Sequence, residues 1–267
     1  MRMIMGNIVA IYRRELQGYF ASPLCYAIAG VFWFLAGIFF VSVLLGPEGI
    51  LVQAAMRDQL GGGTAPPLDV ASEFLKFFLG LLGSLSLFIL PILSMGLYAE
   101  ERKRGTLELL ATSPITNWAV AIGKLLAVLT FFVSMILPLM IYEAIALSHA
   151  NPPFQPVLLL VGHLGLLLLA AGILSLGMFI SSLTDSTILA AVLTFALVLF
   201  LWVIDVVAKG IGGPLGSALE HLSLLSNYNN LVQGVIDTSS LILFGSYIVL
   251  GLFLTAQSID ALRFQRS

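Results

Sequence analysis

The sequence is poor in cysteine and in charge. Its single cysteine, Cys25, excludes an internal disulfide and argues against a thiolate metal cluster within one chain. Charged residues make up only 10% of the 267 positions, whereas a soluble domain carries about 25%. The net charge of −2 lacks the basic excess that nucleic-acid binding requires. Because 59% of the residues are hydrophobic, the composition indicates an integral membrane protein.

The motifs of common catalytic sites are also missing. Without a G-x-x-x-x-G-K-[ST] phosphate loop, this chain is not expected to hydrolyse nucleotides by itself. It has no H-E-x-x-H motif, and its three histidines are too scattered in the sequence to suggest a metal site. No G-x-S-x-G elbow occurs either. We therefore expect no catalytic, cofactor-binding or metal-ligating residues in this chain.

Long apolar runs dominate what is present. A membrane-spanning helix needs about 20 mostly apolar residues, because each residue advances about 1.5 Å through about 30 Å of hydrocarbon. Six stretches qualify: Leu24–Leu45, Phe77–Leu97, Trp118–Leu147, Val157–Ile180, Thr187–Val207 and Leu241–Gln257. Their length and continuity favour helices over barrel strands. The sequence predicts an all-α integral membrane protein with six transmembrane helices.

The lysines and arginines are distributed unequally between the two sides. One side receives Arg2, Arg13, Arg14, Arg102, Lys103, Arg104, Lys124, Arg263 and Arg266, whereas the other receives Arg57, Lys76 and Lys209. Cytoplasmic connections carry the excess of positive charge in membrane proteins. Both the N- and C-termini are therefore predicted to be cytoplasmic, in a multi-pass protein of the cell membrane.

Residues 1–23 have the pattern of an amphipathic helix at the membrane interface. Their apolar side chains fall on one face at helical spacing, with Arg13 and Arg14 on the other. Pro23, preceded by Ser22, is expected to end this helix. Glu15 projects into the apolar face, where a free carboxylate is costly. It either reaches water at the helix edge or forms a salt bridge with a cytoplasmic neighbour.

Three ionisable residues lie within or beside the predicted spans. We interpret each from its distance, along its helix, to the membrane edge. Lys124 lies about 9 Å into its span, within reach of the headgroups. Glu143 and Asp205 lie near the outer end of theirs by the same count. We interpret all three as interfacial.

The connection between the second and third spans has an unusual pattern. Its charged first part continues the second helix, and Gly105 can end that helix because it tolerates a left-handed backbone. Thr106 can then cap a short helix with Glu108 in its first turn, ended by Ser113 and Pro114. The apolar side chains of this short helix are Leu107, Leu109 and Leu110. An ordinary charged loop explains the arginines but not the leucines, so we interpret this helix as a docking element.

Four segments carry a resemblance to a known family. They are 99–114 (AEERKRGTLELLATSP), 13–23 (RRELQGYFASP), 179–185 (FISSLTD) and 234–237 (GVID). The first looks like the first coupling helix of ABC-2 type ABC transporter permeases, and the others match the same family in order. Within that family, the sequence most resembles the gliding-motility-associated permease subgroup.

The resemblance implies a single ABC-2 type transmembrane domain over 1–267, with an interfacial connecting helix at 1–23, a six-span bundle at 24–260 and a coupling helix near 100–114. Such a permease pairs as a homo- or heterodimer, through the first and fifth spans, and recruits ABC-type ATP-binding cassette subunits. ATP and magnesium would be bound by that partner and not by this chain. Short re-entrant helices are implied between 210 and 238.

The resemblance also assigns residues to three contacts. The coupling contact would use Glu100, Glu101, Arg102, Gly105, Thr106, Leu107, Glu108, Leu109, Leu110, Ser113 and Pro114. The connecting helix would contribute Arg13, Arg14 and Glu15. The second cytoplasmic contact would include Ser182, Thr184 and Asp185.

The function implied is that of a permease subunit of an ATP-driven exporter, without catalytic activity of its own. One alternative is a non-transporting homologue that passes ATP-driven motion to an extracytoplasmic partner. An intramembrane enzyme is the other. The apolar spans suit an amphipathic or lipid-linked cargo, and they equally suit helices that face lipid.

Overall fold

The computed structural model describes residues 2–60, 69–107, 115–150, 152–211 and 213–264, and no strand occurs within these ranges. These ranges contain eleven helices, numbered in chain order: α1 (Arg2–Ala21), α2 (Pro23–Leu45), α3 (Ile50–Leu60), α4 (Val70–Ser94), α5 (Gly96–Lys103), α6 (Asn117–Leu147), α7 (Pro156–Leu183), α8 (Thr187–Ile211), α9 (Gly213–Leu222), α10 (Leu224–Val232) and α11 (Thr238–Phe264). The predicted coupling residues Glu108, Leu109, Leu110, Ser113 and Pro114 lie outside the described residues.

The prediction of six membrane-spanning helices is confirmed. In the part of the chain that the structure describes, six helical stretches are long and apolar enough to cross a membrane: Pro23–Arg57, Val70–Lys103, Asn117–Leu147, Pro156–Leu183, Thr187–Ala208 and Thr238–Ala261. Each contains one of the predicted apolar runs. The break before the first span is also where the sequence placed it, because α1 ends at Ala21, Ser22 has an extended backbone and α2 begins at Pro23.

Helix α7 forms the centre of the bundle. It packs against α4, α6, α8, α10 and α11, and most of its side chains are buried. Small residues permit these close approaches. At Gly251 of α11, an added Cβ atom would lie 2.5 Å from the backbone carbonyl carbon of Ser175, and at Gly165 of α7 it would lie 2.8 Å from Leu231 Cβ. The helices of the core thus approach each other so closely at these glycines that a Cβ atom would not fit.

The segment between the last two spans contains the two short helices α9 and α10, and α10 is docked into the bundle. Ser223 caps α10 by accepting a hydrogen bond from the backbone N–H of Ser226. Asn227 accepts a hydrogen bond from Ser240 of α11 at 2.7 Å. The buried Tyr228 donates its hydroxyl hydrogen to the carbonyl oxygen of Leu79 in α4 at 2.5 Å. Helices α4 and α11 therefore hold α10 in place.

Gly83 of α4 is expected to be necessary for this docking. An added Cβ atom would overlap the ring of Tyr228 and lie 2.9 Å from its Cζ atom. We expect Gly83→Ala to cost about 1–3 kcal/mol of overpacking and to displace α10. The matched control is Gly80→Ala, one turn away on the same helix, where an added Cβ meets nothing within 4 Å. Thermal unfolding and protease protection of α10 would check this, and equal behaviour of the two variants would contradict it.

Candidate functional site: a charged junction at the side of the termini

Lys124 is buried in the first half of α6, with 2% of its side chain exposed. Its Nζ atom lies 3.0 Å from Glu15 Oε1 of α1 and 3.2 Å from Glu101 Oε1 of α5. The same ammonium lies 5.1 Å from the centroid of the Tyr98 ring, which adds a cation–π contact. We call Glu15, Tyr98, Glu101 and Lys124 the charged junction. It joins the N-terminal helix, the segment that leads into the predicted coupling helix, and the third span.

The close packing of α1 on α6 brings Glu15 to Lys124. Gly123 lies under α1, and an added Cβ there would lie 2.8 Å from Ile11 Cγ2 and 3.2 Å from the carbonyl oxygen of Ile8. The partly buried Tyr19 donates its hydroxyl hydrogen to the carbonyl oxygen of Leu93 in α4 at 3.0 Å. Burial raises the pKa of Tyr19 well above its usual value, so this donor persists at any physiological pH. Helix α1 is therefore fixed to two spans.

Because Lys124 is buried, its positive charge must be paired within the protein. An ammonium taken out of water is costly unless carboxylates and hydrogen bonds replace its hydration. Glu15 and Glu101 supply two carboxylates, whose side chains are only 18% and 14% exposed. Arg14, which is largely exposed, adds a second positive charge 4.0 Å from Glu101. Loss of the Lys124 cation would leave two shielded carboxylates facing each other.

Helix α5 is held to the end of α7 by a serine. Ser181 Oγ accepts hydrogen bonds from the backbone N–H groups of Tyr98 and Ala99, at 3.1 and 3.0 Å, and donates one to the carbonyl oxygen of Met95. Arg102 donates to the carbonyl oxygen of Ser182 at 2.8 Å. The segment that leads into residue 105 is thus attached to the central helix through backbone and side-chain bonds.

Two further polar contacts close the same end of the bundle. Asn117, at the start of α6, donates to Asp260 Oδ1 of α11 at 2.6 Å. The hydroxyl groups of Ser182 and Ser258 share a short hydrogen bond between α7 and α11. The start of α6 and the ends of α5, α7 and α11 therefore meet at one side, which we call the side of the termini.

The structure brings together part of the predicted coupling segment. Gly105 has φ of +70°, so it ends α5 in the left-handed conformation that the sequence predicted. Glu100 pairs with Arg104 at 3.5 Å on the surface. Thr106 is exposed and donates to the carbonyl oxygen of Glu101. Leu107 is buried in the core of the protein, so it points inward in this conformation.

The remaining predicted contact residues lie at the same side. Arg13 and Arg14 of α1 are exposed to solvent. Ser182 is buried at the end of α7, whereas Asp185 is exposed in the turn that follows. Thr184 accepts a hydrogen bond from the backbone N–H of Ser186 and so shapes this turn. Arg13, Arg14 and Asp185 are accessible to a partner.

The structure contradicts the expectation that Lys124 and Glu143 reach the headgroups or water, because both side chains are buried in the protein. Lys124 does not reach the headgroups, because Glu15 and Glu101 bind it inside the protein. For Glu15 the structure shows the second of the two alternatives, the salt bridge. Glu143 is fully buried and lies 3.6 Å from His163. The presence of a charge in an apolar helix is the signal that points to both sites. The side chain of Asp205 lies outside the described residues.

Comparison with protein families identifies the family of this chain. The profile described as ABC-2 family transporter protein matches residues 31–267, which is most of the chain. The chain belongs to the ABC-2 family of transporter proteins. It is therefore a membrane permease subunit of an ABC transporter, a multi-pass protein whose family implies an ATP-binding partner. Subunits of this family serve transport and are generally not catalytic themselves. Comparison with curated proteins gives no significant match.

Proposed function

We propose that this ABC-2 permease exports its substrate and that its charged junction transmits the ATP-driven movement of a cassette subunit to the spans. The side of the termini is cytoplasmic, the membrane is the cell membrane, and ATP and magnesium belong to the partner. Within the family, the gliding-motility-associated subgroup remains our assignment. The single transmembrane domain consists of the connecting helix at 1–23 and the bundle at 24–260.

The observation that carries this proposal is the buried Lys124 with its two carboxylates. A cassette subunit that binds near residues 100–114 would move α5 first. Because Glu101 and Glu15 share Lys124, the movement would reach α6 and α1 together. A two-state shift from 1:99 to 99:1 requires about 5.5 kcal/mol, which a rigid ionic junction can transmit.

The proposed contact surface consists of accessible residues around this junction. Helix α1 contributes the exposed Arg13 and Arg14, and Glu15, which pairs with Lys124 inside the protein. The coupling segment contributes Glu100, Glu101, Arg102, Gly105, Thr106, Leu107, Glu108, Leu109, Leu110, Ser113 and Pro114, with Leu107 as an inward anchor. The turn after α7 contributes Ser182, Thr184 and Asp185 as the smaller contact.

A second permease subunit is also part of the proposal. Three spans are less buried along their apolar length than the other three: the first (α2), the fifth (α8) and the sixth (α11). Large apolar side chains such as Phe34 and Val41 of α2, and Ile188 and Phe200 of α8, are exposed. A homo- or heterodimer would cover these faces of α2 and α8.

The test substitutes Gly105 with proline or asparagine, which differ in their ability to adopt its positive φ. Proline cannot adopt φ of +70°, because its ring fixes φ near −65°, whereas asparagine tolerates the left-handed region. We expect Gly105→Pro to reduce recovery of the cassette ATPase at least tenfold in a mild-detergent pull-down. If the ATPase is still recovered, its substrate-dependent ATP turnover should fall at least tenfold in an assay of the recovered complex. Gly105→Asn should retain both.

Membrane insertion of both variants would be checked by their yield in the membrane fraction. Unchanged ATPase recovery and export in Gly105→Pro would contradict the proposed coupling role. Recovery of a cassette ATPase together with an extracytoplasmic protein, without export, would replace the exporter with the non-transporting alternative.

A further inference from the structure

A second ionisable pair lies at the opposite side of the bundle from the charged junction. Glu143 is one turn before the end of α6, and His163 is two turns after the start of α7. Their side chains are 0% and 4% exposed, and Glu143 Oε1 lies 3.6 Å from His163 Nε2. Neither carboxylate oxygen, nor His163 Nε2, makes a hydrogen bond within the described part of the chain. These groups are too deeply buried to be left charged and unpaired.

The hydrogen bond on the other ring nitrogen fixes the tautomer of His163. Nδ1 lies 2.9 Å from the carbonyl oxygen of Leu159, and a carbonyl oxygen only accepts, so Nδ1 carries a hydrogen. In the neutral ring, Nε2 then presents a lone pair towards Glu143 Oε1. An ionised carboxylate would face that lone pair as an uncompensated buried charge. One proton between Oε1 and Nε2 removes the conflict.

Helix α10 packs beside this pair. Tyr228 is the titratable group that faces Glu143 from α10, but its hydroxyl hydrogen is donated to the carbonyl oxygen of Leu79. Burial, and then the nearby Glu143, raise the pKa of Tyr228, so the phenol stays protonated and adds no charge. On α4, Glu73 and Lys76 pair with each other at the surface.

A proton is the ligand that fits this pair. A protein zinc site needs three or four ligands, and the described residues contain no cluster of three histidine, cysteine or acidic side chains. A charged pair is less favourable than a neutral one, because two charges would lose hydration with no further hydrogen bond to the carboxylate. The proton therefore resides on Glu143.

We propose that Glu143 and His163 form an intramembrane proton-binding site closed by α10, and that the export cycle is linked to loading and release of one proton there. The proton comes from water, is held on Glu143 Oε1 facing His163 Nε2, and returns to water when α10 moves away. No electron is transferred. The proton site depends on the geometry alone, whereas its link to export rests on the proposed function.

Infrared and nitrogen-15 NMR spectra of the full chain in lipid nanodiscs test the site without any partner. Exposed carboxyl groups are ionised well below pH 7.5, so we expect one persistent carboxylic-acid C=O band at that pH. Glu143→Gln should abolish the band, and Glu73→Gln, at an exposed carboxyl, should leave it unchanged. His163 should stay neutral between pH 5.5 and 8, with a hydrogen on Nδ1 and none on Nε2.

Absence of the carboxylic-acid band in the unmodified protein, or a second hydrogen on His163 Nε2 within this pH range, would overturn the site. The unmodified protein provides both readouts, so the site can be tested even if Glu143→Gln folds poorly. The amide of that variant is nearly isosteric with the protonated carboxyl and can donate to His163.

The link to transport is tested with the assembled transporter in liposomes. ATP-driven proton release into the compartment that faces α10, followed with a pH-sensitive dye confined to that compartment, should fall at least tenfold in Glu143→Gln and remain unchanged in Glu73→Gln. Protons that ATP hydrolysis itself releases stay in the opposite compartment, with the cassette subunits. Equal proton release in all three proteins would overturn the link. If no export or ATP coupling occurs at all, the proposed function fails, and the spectroscopic result on the proton site remains independent of it.

Discussion

Replacement of Lys124 by methionine is expected to destabilise the permease by about 3 kcal/mol and to uncouple ATP turnover from transport. Methionine fills a similar volume but removes the only cation in close contact with both Glu15 and Glu101 among the described residues. Removing one partner of a buried ion pair typically costs about 3–5 kcal/mol, and the partial exposure of these two carboxylates places our value at the lower end. Thermal unfolding of the purified protein and ATP-driven export would measure the two effects.

Lys76→Met is the matched control for this prediction. Lys76 pairs with Glu73 at 3.5 Å on the surface of α4, where both side chains are substantially exposed. Exposed pairs contribute about 0–1 kcal/mol, so this variant should unfold within about 1 kcal/mol of the unmodified protein.

Rescue distinguishes an ionic role of Lys124 from a packing role. When Glu15→Gln and Glu101→Gln accompany Lys124→Met, no carboxylate is left unpaired, and most of the lost stability should return. Transport should not return fully, because the ionic connection between α1, α5 and α6 is still absent. Equal stability of Lys124→Met and Lys76→Met, or a triple variant less stable than Lys124→Met alone, would contradict the role of the junction.

The spans were predictable because their signal is local. Twenty apolar residues in succession suffice to define a crossing helix, so each predicted run falls inside an observed one. The break at Ser22 and Pro23 and the helix end at Gly105 were predictable for the same reason. Proline fixes φ, and glycine supplies the positive φ that a helix stop requires.

The charged junction was only partly predictable, because its partners lie far apart in sequence. The spacing of residues 1–23 shows that Glu15 interrupts an apolar face, and a depth count places Lys124 near the membrane edge. Neither observation shows that Gly123 allows α1 to pack against α6, and this packing is what brings the two charges to 3.0 Å. Tertiary packing therefore decides between reaching water and pairing inside the protein.

The burial of Glu143 could not be predicted for a related reason. Counting along a straight helix measures distance from the membrane edge, but it takes no account of protein that covers the helix end. Tyr228 attaches α10 to the bundle by its hydrogen bond to Leu79, and His163 of α7 lies against Glu143. A residue near the end of a span can thus be as isolated from water as one at its centre.

Gly251→Ala is expected to destabilise the packing of α11 on α7 strongly. The new Cβ atom would lie 2.5 Å from the backbone carbonyl carbon of Ser175 and 2.7 Å from its Cβ. Backbone atoms of the central helix α7 cannot rotate away, so α11 must separate from α7. The hydrogen bond from Ser175 to the carbonyl oxygen of Tyr247 would be lost with it. We expect a cost of about 3 kcal/mol or more, at the upper end of the range for overpacking.

Gly245→Ala on the same helix separates this effect from helix propensity. An added Cβ there meets nothing within 4 Å, and alanine is favoured over glycine in a helix by about 1 kcal/mol, so this variant should be neutral or slightly more stable. Thermal unfolding in the same detergent compares the two directly. A Gly251→Ala protein as stable as Gly245→Ala would mean that α11 can move off α7 at little cost. The observed contact between Ser175 and Gly251 would then not restrain the sixth span, and that helix would be free to move during the transport cycle.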